Sequence, residues 1–192
     1  MITIDSVKCM SITEMLDSYS ENELLLMIED FKCIKNKEIE EFLKNNAIDF
    51  HKKHQAMTHL LFDSNRKITG YFSLSIKPIN IQCDKLSNTE LKKLLRIAEI
   101  EFDNNSINPS AYLIAQLGKS DDSLLDIYKI MKFINYYIYE VREVCGGVIE
   151  FLESENEIKL INLYEKCGFK TFNIRKSKSG EDRKLIQMYR LI

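Results

Sequence analysis

Between Leu152 and Phe169 the sequence reads LESENEIKLINLYEKCGF, and three of its side chains carry usable chemistry. Glu153 can accept a proton, Asn156 offers an amide that both donates and accepts, and the phenol of Tyr164 holds or releases a proton around an ordinary pKa of about 10. Ser154 and Glu157 have the spacing of a capping box and Gly168 is a helix stop, so a short helix is expected between them. On that helix Leu160, Leu163, Tyr164 and Cys167 share one face. Spacing alone leaves two readings of each ionisable group open. Tyr164 either closes an apolar face with its hydroxyl at the rim or has a proton to give. Glu153 is either a carboxylate favoured at a helix N-terminus or a base.

The elements that must position these residues follow from periodicity. SENELLLMIEDF opens with a Ser20–Glu23 capping box and predicts a helix to about Phe31. In NKEIEEFLKNNAIDFHKKH, Ile39, Phe42, Leu43, Ala47, Phe50 and His54 fall near one stripe, the period of a second helix. MTHLLF, the turn chemistry of DSNRK and the alternation of ITGYFSLSIK predict an antiparallel hairpin. Ser87 and Glu90 form another capping box, inside a helical insertion at about 84–108. AYLIAQLG reads as a strand covered on both faces. A long amphipathic helix follows and stops at Gly146–Gly147. VIEFLE is the next strand, then comes the short helix, and KTFNI and KLIQMYRLI are a last pair. This order predicts a mixed, mostly antiparallel α/β sheet flanked by helices.

A chain of 192 residues, 45% of them hydrophobic, can bury one sizeable core, so a single domain over 1–192 is expected. A net charge of −2 makes no general case for nucleic acid or an anionic membrane. No apolar run approaches a membrane span and the N-terminus lacks the layout of a signal peptide. Five scattered cysteines without a CxxC pair fit reduced thiols in a cytoplasm. The basic stretch KTFNIRKSKSGEDRK is expected to be a solvated hairpin tip. His51, His54 and His59 are expected at the surface or rim, and no metal site is expected. No P-loop, GxSxG elbow or HExxH helix occurs.

The strand–long helix–strand–short helix–strand order ending in LESENEIKLINLYEKCGFK resembles the Gcn5-related N-acetyltransferase family, over roughly Ser20 to Lys170. The run FLKNNAIDFHKKHQAMTHLLFDSNRKITGYFSLSIKP, continuing into AYLIAQLGK, is similar to its bacterial and phage branch. The resemblance implies two parallel strands that splay apart, with acetyl-CoA as co-substrate in the gap. Backbone groups of Leu113, Ile114 and Ala115 and the side chain of Asn156 would hold the pantetheine arm. Gln116, Gly118, Lys119, Ser120 and Ser123 would meet the pyrophosphate. Tyr164 would protonate the departing thiolate and Glu153 would serve as general base. The 84–108 insertion and the N-terminal helices would border the acceptor site. One departure stands out: Asp121 and Asp122 replace the second glycine of the family's glycine-rich turn, and would repel a pyrophosphate unless they point outward.

What is implied is direct acetyl transfer to an amine on an unidentified small-molecule or protein acceptor, by a monomer or homodimer. Two alternatives stand beside it. One is a non-catalytic binding module that keeps the fold with a degenerate CoA turn. The other is a toxin-like protein acting on aminoacyl-tRNA, as some relatives in the superfamily do. The weak overall charge counts against nucleic acid.

Overall fold

The computed structural model describes residues 1–176 and 183–192; the tip of the basic hairpin, residues 177–182, lies outside them. In chain order the elements are β1 (Ile2–Ile4), β2 (Val7–Ser11), α1 (Ile12–Leu16), α2 (Glu21–Glu29), α3 (Lys37–Glu41), α4 (Ala47–Lys52), β3 (Met57–Phe62), β4 (Ile68–Pro78) and β5 (Ile81–Gln82). They continue with α5 (Asn88–Leu94), β6 (Ile100–Glu101), β7 (Ser106–Ile107), β8 (Ser110–Lys119), α6 (Ile127–Cys145), β9 (Ile149–Glu155), α7 (Ile158–Lys166), β10 (Lys170–Lys176) and β11 (Lys184–Leu191). They group into two compact units, one of Met1–Ser75 with Ala115–Tyr139, the other of Ile76–Ile114 with Glu140–Ile192. No helix among the described residues is long and apolar enough to cross a membrane.

In the first unit β1, β2, β3 and β4 form an antiparallel run. Asp5 and Ser6 turn β1 into β2, both with positive φ, as a two-residue hairpin of matching twist requires. Reciprocal capping boxes start α1 (Ser11 with Glu14) and α2 (Ser20 with Glu23), satisfying amides that have no partner inside the helix. The expected second helix is present with a difference: a π-helical segment, Phe42–Asn46, joins α3 to α4. Leu43, Ala47 and Ile48 then all reach a core shared with Ile12, Leu24, Ile28, Phe31, Leu60 and Tyr71. The β3–β4 hairpin is tied by Asp63, whose Oδ1 accepts from the amides of Asn65 and Lys67 at 2.8 and 2.9 Å. Gly70, Tyr71, Phe72 and Ser73 are all buried, so β4 is covered on both faces rather than one.

In the second unit the strand order is β8–β9–β11–β10, with β8–β9 parallel and the other pairs antiparallel. The 84–108 insertion holds more than a helix. Besides α5 it carries β6 and β7, which with β5 make a small three-stranded sheet in the order β5–β7–β6. Its anchor is Glu90, the N3 residue of the Ser87 capping box, which accepts from the Tyr189 hydroxyl at 3.0 Å and pairs with Lys170. Burial alone would raise the Glu90 carboxyl, but hydrogen bonds from Lys170, Ser87 and Tyr189 outweigh it and hold the group at about 2. Gly146 and Gly147 have φ of +72° and +109°, conformations that end α6 at Cys145 and that side chains disfavour. A Cβ on Gly147 would also meet the Tyr112 ring at 2.9 Å.

Candidate functional site

β9 runs two residues further than its apolar run suggests, because Ser154 and Glu155 pair with Ile186 and Leu185 of β11. That extension removes the expected Ser154–Glu157 capping box. Ser154 stays in the strand, 4% exposed, and its hydroxyl donates to the Glu155 carbonyl. Glu157 becomes the N-cap of α7, with no side-chain cap. A ladder of backbone bonds outweighs one side-chain cap worth about 1 kcal/mol. Asn156 occupies the bend between strand and helix, with its side chain exposed.

Tyr164 lies in the last turn of α7. Its carbonyl accepts from the amides of Cys167 (2.9 Å) and Phe169 (3.1 Å), which close the helix, and Gly168 supplies the positive φ. The ring is half-buried, edge-on to Phe169 with centroids 6.2 Å apart. Burial, and the neighbouring Cys167 thiol, push the hydroxyl up to about 12. None of its apolar neighbours on α7, Leu160, Ile161 or Leu163, is fully buried, so the helix presents a half-open apolar face with a phenol in it.

The parallel ladder of β8 and β9 pairs Tyr112 with Glu150, Leu113 with Phe151 and Ile114 with Leu152. Leu113 and Ile114 are therefore inside the ladder, and Ala115 is the first residue of β8 beyond its last pair. Glu153, the next residue of β9, is held on three sides. Arg175 donates to both carboxylate oxygens through Nε and Nη2, and Gln187 Nε2 donates to Oε1 at 2.8 Å. Burial opposes its charge, but the bonds from Arg175 and Gln187 prevail and keep its carboxyl below the usual range. A carboxylate so stabilised is a weak base.

In the first unit, β8 extends through Gln116, Gly118 and Lys119, which places these three in the strand rather than in the turn after it. A Cβ on Gly118 would come within 2.3 Å of Ile39 Cγ2 and 2.8 Å of Tyr71 Cε1, so close packing by itself accounts for a glycine there. The turn that follows is already knitted together. The amides of Ser120, Asp121 and Ser123 donate to the carbonyls of Thr69, Lys32 and Ser120, and the Leu125 amide donates to Ser123 Oγ. Lys119 Nζ reaches the Ser123 and Leu125 carbonyls, both at 3.2 Å. Asp121 accepts from the Ile34 amide at 2.7 Å, and Asp122 pairs with Lys67. The α6 N-cap is Asp126, whose Oδ1 accepts from the Lys129 amide. The two aspartates are thus engaged by partners of their own. The buried Ser120 hydroxyl has no partner among the described residues.

Two groups escape sequence reading. Glu150 and Arg190 form a buried ion pair across β9 and β11, with Arg190 Nε donating to Glu150 Oε2 at 2.7 Å. A charged residue inside each of two apolar strands, VIEFLE and KLIQMYRLI, was the available signal. The histidine expectation needs correcting: His51 and His59 are 4% and 6% exposed, not at the surface. His51 Nδ1 accepts from the Thr58 amide, which leaves Nε2 to donate to Thr13 Oγ1 at 2.7 Å. His59 stacks on Phe72, and burial lowers it to about 4, so it is neutral at physiological pH. Both are core residues; His51 has partners for both ring nitrogens, and His59 Nδ1 lies 3.2 Å from the Met57 carbonyl.

No protein-family model and no curated protein matches this chain. Solved structures do. AtaT complexed with acetyl-methionyl-tRNAfMet is 14% identical, with 94% of this chain and 93% of that one covered and a TM-score of 0.65. A Tyr-to-Phe mutant of the AtaT toxin, bound to the C-terminus of the antitoxin AtaR and acetyl-CoA, is 12% identical over 95% and 94%, with a TM-score of 0.56. A chimera of the spermidine N-acetyltransferase SpeG from Vibrio cholerae and hSSAT is 14% identical over 97% and 96%, with a TM-score of 0.54. Identities this low speak to architecture alone, and the architecture is shared from end to end: the chain has the Gcn5-related N-acetyltransferase fold.

Proposed function

We propose that this protein is an acetyl-CoA-dependent N-acetyltransferase that moves the acetyl group directly to an amine. The observation that carries the reading is Tyr164, a half-buried phenol on the open apolar face of α7, directly downstream of the strand that ladders in parallel with β8. Acetyl-CoA supplies an acyl group on a thiol leaving group. Two residues of the second unit suit its thioester end: Asn156 stands exposed at the β9–α7 bend, and Tyr164 holds a proton to donate. At the turn after β8 the fit is of another kind. The amides of Ser120, Asp121, Ser123 and Leu125 already have protein partners, and the charges of Asp121 and Asp122 are already engaged.

In this reading the amine nitrogen bonds to the acetyl carbon, the C–S bond breaks, and Tyr164 gives its proton to the sulfur. The proton lost by the amine goes to solvent, and the Tyr164 phenolate takes one back from solvent to complete the cycle. Glu153, whose charge is already paired with Arg175 and whose pKa is lowered by that pairing and by Gln187, is poorly suited to take the amine's proton. We read the chain as a member of the bacterial and phage branch, on the strength of the segment 42–78, and as a single cytoplasmic domain, which five free thiols suit.

The acceptor reading with most support is the α-amine of an aminoacyl-tRNA, because AtaT with an acetyl-methionyl-tRNA superposes better (TM-score 0.65) than the SpeG chimera (0.54). A small polyamine, the substrate named for SpeG, is the contrast. Calorimetric titration with acetyl-CoA and CoA tests the donor. Acetyl transfer from radiolabelled acetyl-CoA to charged tRNA and to spermidine then separates the acceptors. Failure to bind either CoA form at millimolar concentration would leave a binding module that keeps only the fold.

A further inference from the structure

We propose that the buried Glu150–Arg190 pair is a positioning device for the Tyr164 hydroxyl, an inference that rests on the acid role proposed for that tyrosine. Glu150 is fully buried in β9 and faces Arg190 of β11 as its cross-strand partner. Arg190 Nε and Nη2 hold Glu150 Oε2, at 2.7 and 2.6 Å. The third nitrogen, Nη1, donates to the Cys167 carbonyl at 2.8 Å, where α7 ends. The guanidinium also lies over the Phe169 ring, 4.6 Å from its centroid, and Phe169 is the ring that meets Tyr164 edge-on. Tyr164 is therefore fixed twice from one side chain. Its main chain is held through the Cys167 turn that hydrogen-bonds back to it, and its ring is held through Phe169.

The cost of the arrangement is what points to a role. Two residues along β9, Leu152 fills the same face at 2% exposure, so an apolar side chain suits this stretch of strand. A buried ion pair is often no more stable than the apolar residues that could replace it. Here it is also incomplete, since Glu150 Oε1 has no partner among the described residues. Unsatisfied buried oxygens are rare enough in folded proteins to need a reason. What the pair gives in return is a planar, multidentate fork at the end of α7, which no aliphatic residue and no lysine reproduces.

The test uses the full chain and two readouts. With Cζ-labelled tyrosine, the Tyr164 carbon signal is the one of nine missing from Tyr164→Phe. Glu150→Gln keeps shape and removes the counter-charge; it is expected to move that signal and to lower kcat by up to about 10²-fold, with the KM for acetyl-CoA little changed. Placed in the Tyr164→Phe background, Glu150→Gln is expected to add little further loss. Should Glu150→Gln not fold, Arg190→Lys keeps the buried charges and removes the fork, and is expected to behave the same way. A folded variant whose Tyr164 signal stays in place overturns the proposal. So does one that slows Tyr164→Phe by the same factor as it slows the wild type. If instead Tyr164→Phe turns over like the wild type, the acid role fails, while the carbon signal still decides whether the pair positions the ring.

Discussion

A phenol held at about 12 keeps its proton throughout the physiological range, so the acid proposed for Tyr164 is always in its protonated form. Its target matters as much. A solvated thiol titrates near about 8.5, and protonating such a thiolate from this phenol would be uphill. Burial lifts thiols as well; the buried Cys9 of this chain is pushed up to about 12. A leaving thiolate formed in comparably dry surroundings is therefore matched to Tyr164, the condition under which a general acid works best. Tyr164→Phe is expected to lower kcat by about 10² to 10⁴ while KM for acetyl-CoA and the melting temperature stay near wild type, as steady-state kinetics and calorimetry would show. The two aspartates separate under the same scrutiny. Asp122 faces solvent with Lys67, so Asp122→Gly should leave melting unchanged and tighten CoA binding by removing a negative charge. Asp121 holds the Ile34 amide, so Asp121→Gly should cost about 1 kcal/mol of stability and weaken CoA binding by loosening the turn. Titration calorimetry on both variants checks the contrast. The place of Tyr164 in the last turn of its helix was legible because Gly168 stops that helix just beyond it. Arg190 was not, because only strand register brings it to Glu150 from 40 residues away.

The elements show what local signals can and cannot decide. Ser20 and Ser87 begin helices as their capping boxes require, and both boxes form reciprocally. Ser154 carries the same signal and fails, since β11 offers its backbone a ladder. Competition from a strand that begins at Lys184 and pairs Ser154 with Ile186 is invisible to any short window. The insertion reads as helix for the converse reason: β6 and β7 within it are two residues each, too short to show alternation. What holds α5 down is Glu90, and its contribution depends on pH in a definite direction. Its folded pKa lies below the unfolded value, so the stabilisation is complete above about 4.5 and fades as pH falls toward about 2. At about 1.4 kcal/mol per pH unit the full effect is about 3 kcal/mol. Glu90→Gln should therefore be less stable than wild type at neutral pH, and the difference should shrink between pH 5 and 2. Urea unfolding across that range reads it directly.

At the scale of the molecule, β4, β8 and α6 each run from one compact unit into the other. A ligand that binds only the native state stabilises it by mass action, by about 2.7 kcal/mol at a hundred times its Kd. Acetyl-CoA is thus expected to raise the melting temperature in a concentration-dependent way in scanning fluorimetry; a flat response at millimolar acetyl-CoA would remove the donor from the reading. The strand order of the second unit has a consequence for how the protein is made. β10 is synthesised before β11, yet β11 lies between β10 and β9. As the nascent chain leaves the ribosome, β10 has no strand to join and must wait, its Phe172 uncovered, until β11 follows it out. Arg190 travels on β11, so the helix bearing Tyr164 emerges well before the side chain that locks its end. During that interval the apolar side of β10 stays open, and the phenol of Tyr164 has no fixed place until residue 190 has been delivered.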